Sequence, residues 1–152
     1  APIRSSSIMI GEVLAGMVKG LFASVLIIAV GLLASPRFFL TPLFFVTLLL
    51  NCLLFASLGV ITGMRAKSHE DTATYSNFFI MPMAFFSGTF FPLDRIPAAL
   101  QWIIYILPLT HANIAIRKEA LDMEAVVSLL ILVGYAVAFF LYGSSLIRKY
   151  SE

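Results

Sequence analysis

Residues 84–97 read "AFFSGTFFPLDRIP". An apolar run reaches Ser87 and Gly88, passes Phe90 and Phe91, and within a few residues meets Pro92, Asp94, Arg95 and Pro97. The chain turns apolar again at Ala98. Proline on both sides of the first charges marks a helix leaving an apolar medium and a second, short element starting at its edge.

Composition names that medium. Of the 152 residues 61% are hydrophobic and 12% charged, and the mean hydropathy is +1.00. A soluble domain is about 45–50% apolar and about 25% charged, and a fold of this size could not hide the excess from water. The solvent is a bilayer. Uncharged stretches cover 20–36, 38–64, 72–93, 96–116 and 125–147. About 20 helical residues cross the hydrocarbon, so each is long enough. Helices are expected, since every backbone polar group in lipid must be paired within its own segment, and "SVLIIAVGLLA" (24–34) and "VTLLLNCLLFASLGVI" (46–61) lack the period-two alternation of a barrel strand.

The fourth stretch stands apart. Pro97 opens it and Pro108 divides it, leaving "AALQWIIYIL" (98–107), too short to span. Thr110, His111 and Asn113 follow, all costly in hydrocarbon. The expectation is a short helix lying at the surface or dipping back, with Trp102 and Tyr105 at headgroup level, then a second short piece after Pro108. The competing reading is one Pro-kinked spanning helix. With the first reading the chain is an all-α, polytopic membrane bundle forming one transmembrane domain over 1–152. Its four crossings lie at about 17–35, 42–64, 73–91 and 125–147, with short Pro-bounded outer helices within 92–124. Gly88 permits a bend or close approach, and Pro92 stops the third span. With the first end inside, the inner segments hold Arg4, Lys19, Arg65, Lys67, Arg148 and Lys149, and the outer ones Arg37, Arg95, Arg117 and Lys118. The positive-inside rule then favours both ends in the cytoplasm, although a five-crossing path gives the same division.

No metal or nucleotide motif stands in the chain, and no nucleic-acid partner is expected. Cys52 is the single cysteine and reads as midspan packing. His69 and His111 read as surface or interfacial residues. Glu12 and Lys19 flank the inner end of the first span, so the spans lack the midplane acids of ion-driven pumps. "GMVKG" (Gly16, Gly20) and "GVITG" (Gly59, Gly63) are GxxxG spacings, suited either to packing within the chain or to a dimer contact.

The block "FFSGTFFPLDRIPAALQWIIYILPLTHANIAIRKEAL" (85–121) resembles the C-terminal signature of ABC type-2 exporter permeases. Its elements stand in order: Ser-Gly (Gly88), Phe-Phe-Pro-Leu (Pro92), a helix opened by Pro97 and carrying Trp102, and "PLTHANIAIR" with Pro108, His111 and Arg117. "APIRSSSIMIGEVLAGMVKG" (1–20) is similar to the family's cytoplasmic segment before its third span. Within the family the chain looks most like nodulation-factor and daunorubicin-type permeases. These have six spans, and this chain would hold the last four of a longer protein.

The resemblance implies a plasma-membrane subunit, in the bacterial inner membrane, that exports an amphipathic drug, lipid-linked saccharide or similar cargo. It implies an ABC ATPase partner that binds ATP and Mg²⁺, no cofactor and no catalysis on this chain, and a second permease copy in a homodimer set in membrane lipid. A coupling helix over about Ser5–Glu12, within the cytoplasmic segment 1–12, would present Ser7, Ile8, Met9, Ile10 and Glu12 to the ATPase, with "SSS" as its cap. The same segment also reads as an amphipathic lead-in on lipid headgroups. A channel or structural membrane subunit without an ATPase partner is the alternative function. An intramembrane enzyme would need a convergent polar set that Asn51, Thr62, Thr74, Tyr75, Ser76 and Asn77 do not make by their positions.

Overall fold

The computed structural model describes residues 4–35 and 40–151. Residues 1–3 of the expected coupling segment, and Arg37, lie outside them. The described residues are helical with no strand. Helices α1 (Ser5–Ala34), α2 (Pro42–Arg65) and α7 (Met123–Ser151) are long and apolar enough to cross a membrane. Thr41 starts α2 by accepting the Phe44 N–H, just before Pro42 in the first turn. Asp122 does the same for α7, accepting the Ala125 N–H at 2.8 Å.

Between α2 and α7 the path is broken. Ser68 caps α3 (His69–Tyr75) by accepting the Asp71 N–H, and the Asp71 carboxylate accepts the Lys67 N–H in return. A π-helical turn follows at Ser76–Ile80, then α4 (Met81–Ala84) and a second wide turn at Phe85–Thr89. Pro82 explains the first widening. It offers no N–H and crowds the Phe78 carbonyl four residues back, which an extra residue in the turn relieves. Together residues 69–89 rise about 30 Å at 1.5 Å per residue, one membrane thickness. Beyond the turn Leu93–Arg95 come α5 (Ala98–Ile106) and α6 (Pro108–Ile116), bent by 92° from each other. Each arm has nine residues, about 14 Å, so neither arm spans a membrane alone and the pair forms a sharp elbow.

The bundle closes around α2, which packs on α1, α6 and α7. Leu54 near the middle of α2, Ala112 of α6, and Leu132 and Ala136 of α7 share one buried cluster. The small side chains Ala112, Ala115, Ala125 and Ser128 let the three backbones approach. The α5–α6 elbow therefore dips to the middle of the bundle rather than lying across its end. Thr47 and Ser57 are buried in α2 but donate to the carbonyls of Leu43 and Leu53, both at 2.8 Å, so neither hydroxyl is stranded. The 69–89 helix buries only Met83, Ser87 and Gly88, and a cavity of about 420 Å³ separates it from α2 and α7.

Two expectations about α1 change. The coupling segment is not a separate helix, because Ser5–Ala34 is continuous. Its serines stand inside the first turn and make no cap, since the capping position is Arg4. Met9 is fully buried with Val13 and Ile147, beside Val60 and Met64, so it is core rather than a knob for a partner. Ser7, Ile8, Ile10 and Glu12 are exposed. Lys19 also moves: its neighbour Gly20 faces Cys52, near the middle of α2, so Lys19 sits at mid-bundle and not at the inner end of a span.

Candidate functional site

Signature residues stand at both ends of α6, one of which meets the end of the third helix. The third helix ends at Ser87–Gly88, where Gly88 takes φ +82°. This left-handed conformation suits glycine and terminates a helix. Gly88 therefore stops the third helix, four residues ahead of the expected Pro92. A Cβ at Gly88 would also come within 3.2 Å of the Leu93 side chain.

A helix end leaves carbonyls without partners, and α6 supplies donors to these. Asn113 Nδ2 donates to the Ser87 carbonyl at 3.0 Å and to Thr89 Oγ1 at 2.9 Å. Arg117 donates to the Gly88 carbonyl at 2.7 Å. Gln101 of α5 closes the outer turn by donating to the carbonyls of Leu93 and Ile96, at 3.1 and 2.9 Å.

The elbow needs the same remedy. Pro108 carries no N–H, and the change of direction takes the next amides away from the end of α5. The Ile104 carbonyl accepts from the Leu107 N–H at 3.0 Å and from Thr110 Oγ1 at 2.6 Å. His111 Nε2–H donates to the Tyr105 carbonyl at 2.7 Å. The Tyr135 hydroxyl, on α7, donates to the Ile106 carbonyl. The last three carbonyls of α5 are thus all satisfied at mid-bundle, where no bulk water would serve them. His111 is buried, not interfacial as expected from sequence. Its Nδ1 has no partner among the described residues.

Gly88 and Arg117 are therefore joined at one end of α6, and Pro108 and His111 stand at the elbow at its other end. Pro92 and Pro97 flank the turn Leu93–Arg95, and Trp102 points away, 80% exposed. The sequence marked Thr110 and Asn113 only as polar residues costly in hydrocarbon, and did not single out Gln101, Tyr135 or Pro82. Thr110 was findable, since a proline at 108 calls for side-chain donors within the next turn; Asn113 and Tyr135 act across long separations that no local signal reveals.

The glycine pairs divide. A Cβ at Gly16 would lie 3.0 Å from Ala56 Cβ, and one at Gly20 3.3 Å from Cys52 Sγ, so this pair packs within the chain. Gly59 and Gly63 have nothing within 4 Å of such a Cβ among the described residues. At the same end of the bundle Arg65 donates to the Tyr142 hydroxyl, joining α2 to α7. Lys118 pairs with Asp122 at 2.8 Å and with Glu124. Those hydrogen bonds, Asp122 first, raise the Lys118 pKa, and the Lys118 bond is the main cause that lowers the Asp122 carboxyl.

Known proteins resemble this chain in sequence. The family model for the ABC-2 type transporter matches residues 1–121. The inner membrane transport permease YadH of Escherichia coli K12 is 30% identical over 154 aligned positions, covering 98% of this chain and 60% of that protein. Nodulation protein J of Rhizobium meliloti is 40% identical over 103, covering 66% of this chain and 39% of its own length, and that of Rhizobium leguminosarum bv. viciae is 36% identical over 101. No solved structure matches. The chain spans about three-fifths of the length of the Escherichia coli permease it matches. The capped helix breaks at Gly88 and Pro108 fall within the matched residues, and the chain belongs to the ABC-2 type transporter family of membrane permeases.

Proposed function

We propose that the chain is part of the permease subunit of an ATP-driven exporter in a bacterial inner membrane, carrying an amphipathic drug, lipid-linked saccharide or similar cargo outward. The supporting observation is the capped elbow. A helix pair that enters to mid-bundle and returns, with the last three carbonyls of its first arm satisfied, is a rigid plug at one end of a path. In this reading the plug faces outside, both chain ends face the cytoplasm, and residues 69–89 make the fourth crossing. The cavity of about 420 Å³ beside that crossing leaves it room to move.

The ATPase partner binds ATP and Mg²⁺ and docks where α1 begins. The exposed Ile8 and Ile10 supply the contact, and Met9 ties the same turn to α7. Because α1 is one helix of 30 residues, about 45 Å long, displacement at Ile8 moves Gly16 and Gly20 against α2 without a hinge. The chain does no chemistry itself. A second copy completes the pathway.

The test is purification of the full-length permease with its ATPase, followed by transport in proteoliposomes. ATP-dependent accumulation of an amphipathic cargo supports the reading. ATP-independent flux through a permease that associates with no ATPase would instead establish a channel.

A further inference from the structure

A cleft of about 930 Å³ runs between α1 and α2. Its walls include Glu12, Lys19, Asn51, Cys52, Gly59 and Gly63, and the bare glycines widen it. Lys19 lies at mid-bundle, and no acid pairs with it among the described residues, where both ion pairs belong to Lys118. Glu12 is two turns away on the same helix, about 10 Å along the axis. The Asn51 oxygen is buried without a hydrogen-bond partner among the described residues. Ser24, by contrast, already donates to the Gly20 carbonyl at 2.8 Å. Lys19 is exposed on one wall of the cleft, and the Asn51 oxygen stands on the other, so the cleft carries one cation and one acceptor that no contact among the described residues uses.

We propose that this cleft holds the head group of an anionic amphiphile, with Lys19 meeting the anion, Asn51 a hydroxyl beside it, and the apolar wall of Leu48, Phe55 and Val60 the tail. This deepens the permease reading, since it gives the handled molecule a charge and a hydroxyl. The bound amphiphile is either cargo or an anionic lipid, and the chemistry of recognition is shared.

Cys52 lines the cleft and reports on it. The full-length permease with its ATPase, other cysteines replaced, is placed in phosphatidylcholine nanodiscs. Cys52 is then modified by methanethiosulfonates of equal size bearing a sulfonate or a trimethylammonium. Relative to their rates with a free thiol in solution, the sulfonate is expected to be favoured over the trimethylammonium. Lys19→Gln should lower the anion-to-cation rate ratio about tenfold, as expected for one nearby unit charge in a wet cleft, and Lys19→Arg should preserve it. Dodecyl phosphate, but not dodecanol, should protect Cys52 in the wild type and not in Lys19→Gln. If phosphatidylglycerol nanodiscs give the same protection, the ligand is lipid; if only dodecyl phosphate does, it is cargo. An unchanged ratio, protection by neither anion, or no modification by either reagent overturns the proposal. The rates need no ATP, so failure of coupled transport would leave them unaltered.

Discussion

Arg117 donates to the Gly88 carbonyl at 2.7 Å across 29 residues of sequence, fastening the end of the third helix to the end of α6. Asn113 holds the carbonyl next to it. A charged donor to a carbonyl is worth about 1.5–3 kcal/mol, so Arg117→Gln should destabilise by roughly the lower figure at this partly exposed site. Asn113→Ala should cost about 1 kcal/mol. The two act on adjacent carbonyls, so the double variant should depart from additivity by about 0.5 kcal/mol or more. Thermal unfolding of the four proteins in one detergent measures this, and strict additivity would separate the two contacts.

Gly88 should resist side chains for its backbone first and its space second. At φ +82° a Cβ costs about 1–2 kcal/mol, and the Leu93 side chain at 3.2 Å adds crowding. Gly88→Leu should therefore be worse than Gly88→Ala, and Gly88→Asn mildest, because asparagine tolerates the left-handed region. Transport per folded molecule should fall in that order. Equal losses for leucine and asparagine would show that the conformation is not what matters.

Met9 and its neighbours should separate stability from coupling. Met9→Ala opens a cavity in a buried cluster and should cost about 2–5 kcal/mol. Ile8→Asp with Ile10→Asp changes exposed positions only, so folding should survive while ATPase association is lost. A double variant that still copurifies with the ATPase and transports normally removes the docking site from this turn.

The Lys118–Asp122 pair should give a weak, two-sided pH response. The Asp122 carboxyl is lowered, so its contribution is present above the ordinary aspartate pKa and is lost as pH falls through the lowered value. Lys118 is raised, so its contribution is present below the ordinary lysine pKa and is lost as pH rises through the raised one. Asp122→Asn should flatten the acid side and keep the α7 cap, whereas Asp122→Ala should lose both. Unfolding temperature against pH for the three proteins decides it.

The long apolar helices were legible because lipid demands about 20 apolar residues and internal hydrogen bonding, which leaves a plain trace in α1, α2 and α7. Pro97 and Pro108 likewise disclosed the elbow, since each forbids a helix interior. Its depth was not legible: Ala112 reaching Leu54 depends on small side chains opposing one another across three helices. Pro82 was visible but carried no local sign that wide turns would absorb it. Met9 looked like a knob because Ile8 and Ile10 flank it, and only the meeting with Ile147 shows it turned inward. Lys19 looked terminal because its helix was expected to begin near residue 17, whereas α1 starts at Ser5 and places it beside the middle of α2.

The elbow is the centre of the account, and sidedness tests it most directly. Single cysteines at Ala98, Ala120 and Lys67, in full-length permease with Cys52 and any others replaced, are labelled in intact cells with an impermeant maleimide. The account predicts that Ala98 and Ala120 label from outside, and that Lys67 labels only after the membrane is opened. Labelling of Ala98 and Ala120 from opposite sides would make residues 96–116 a true crossing and contradict it.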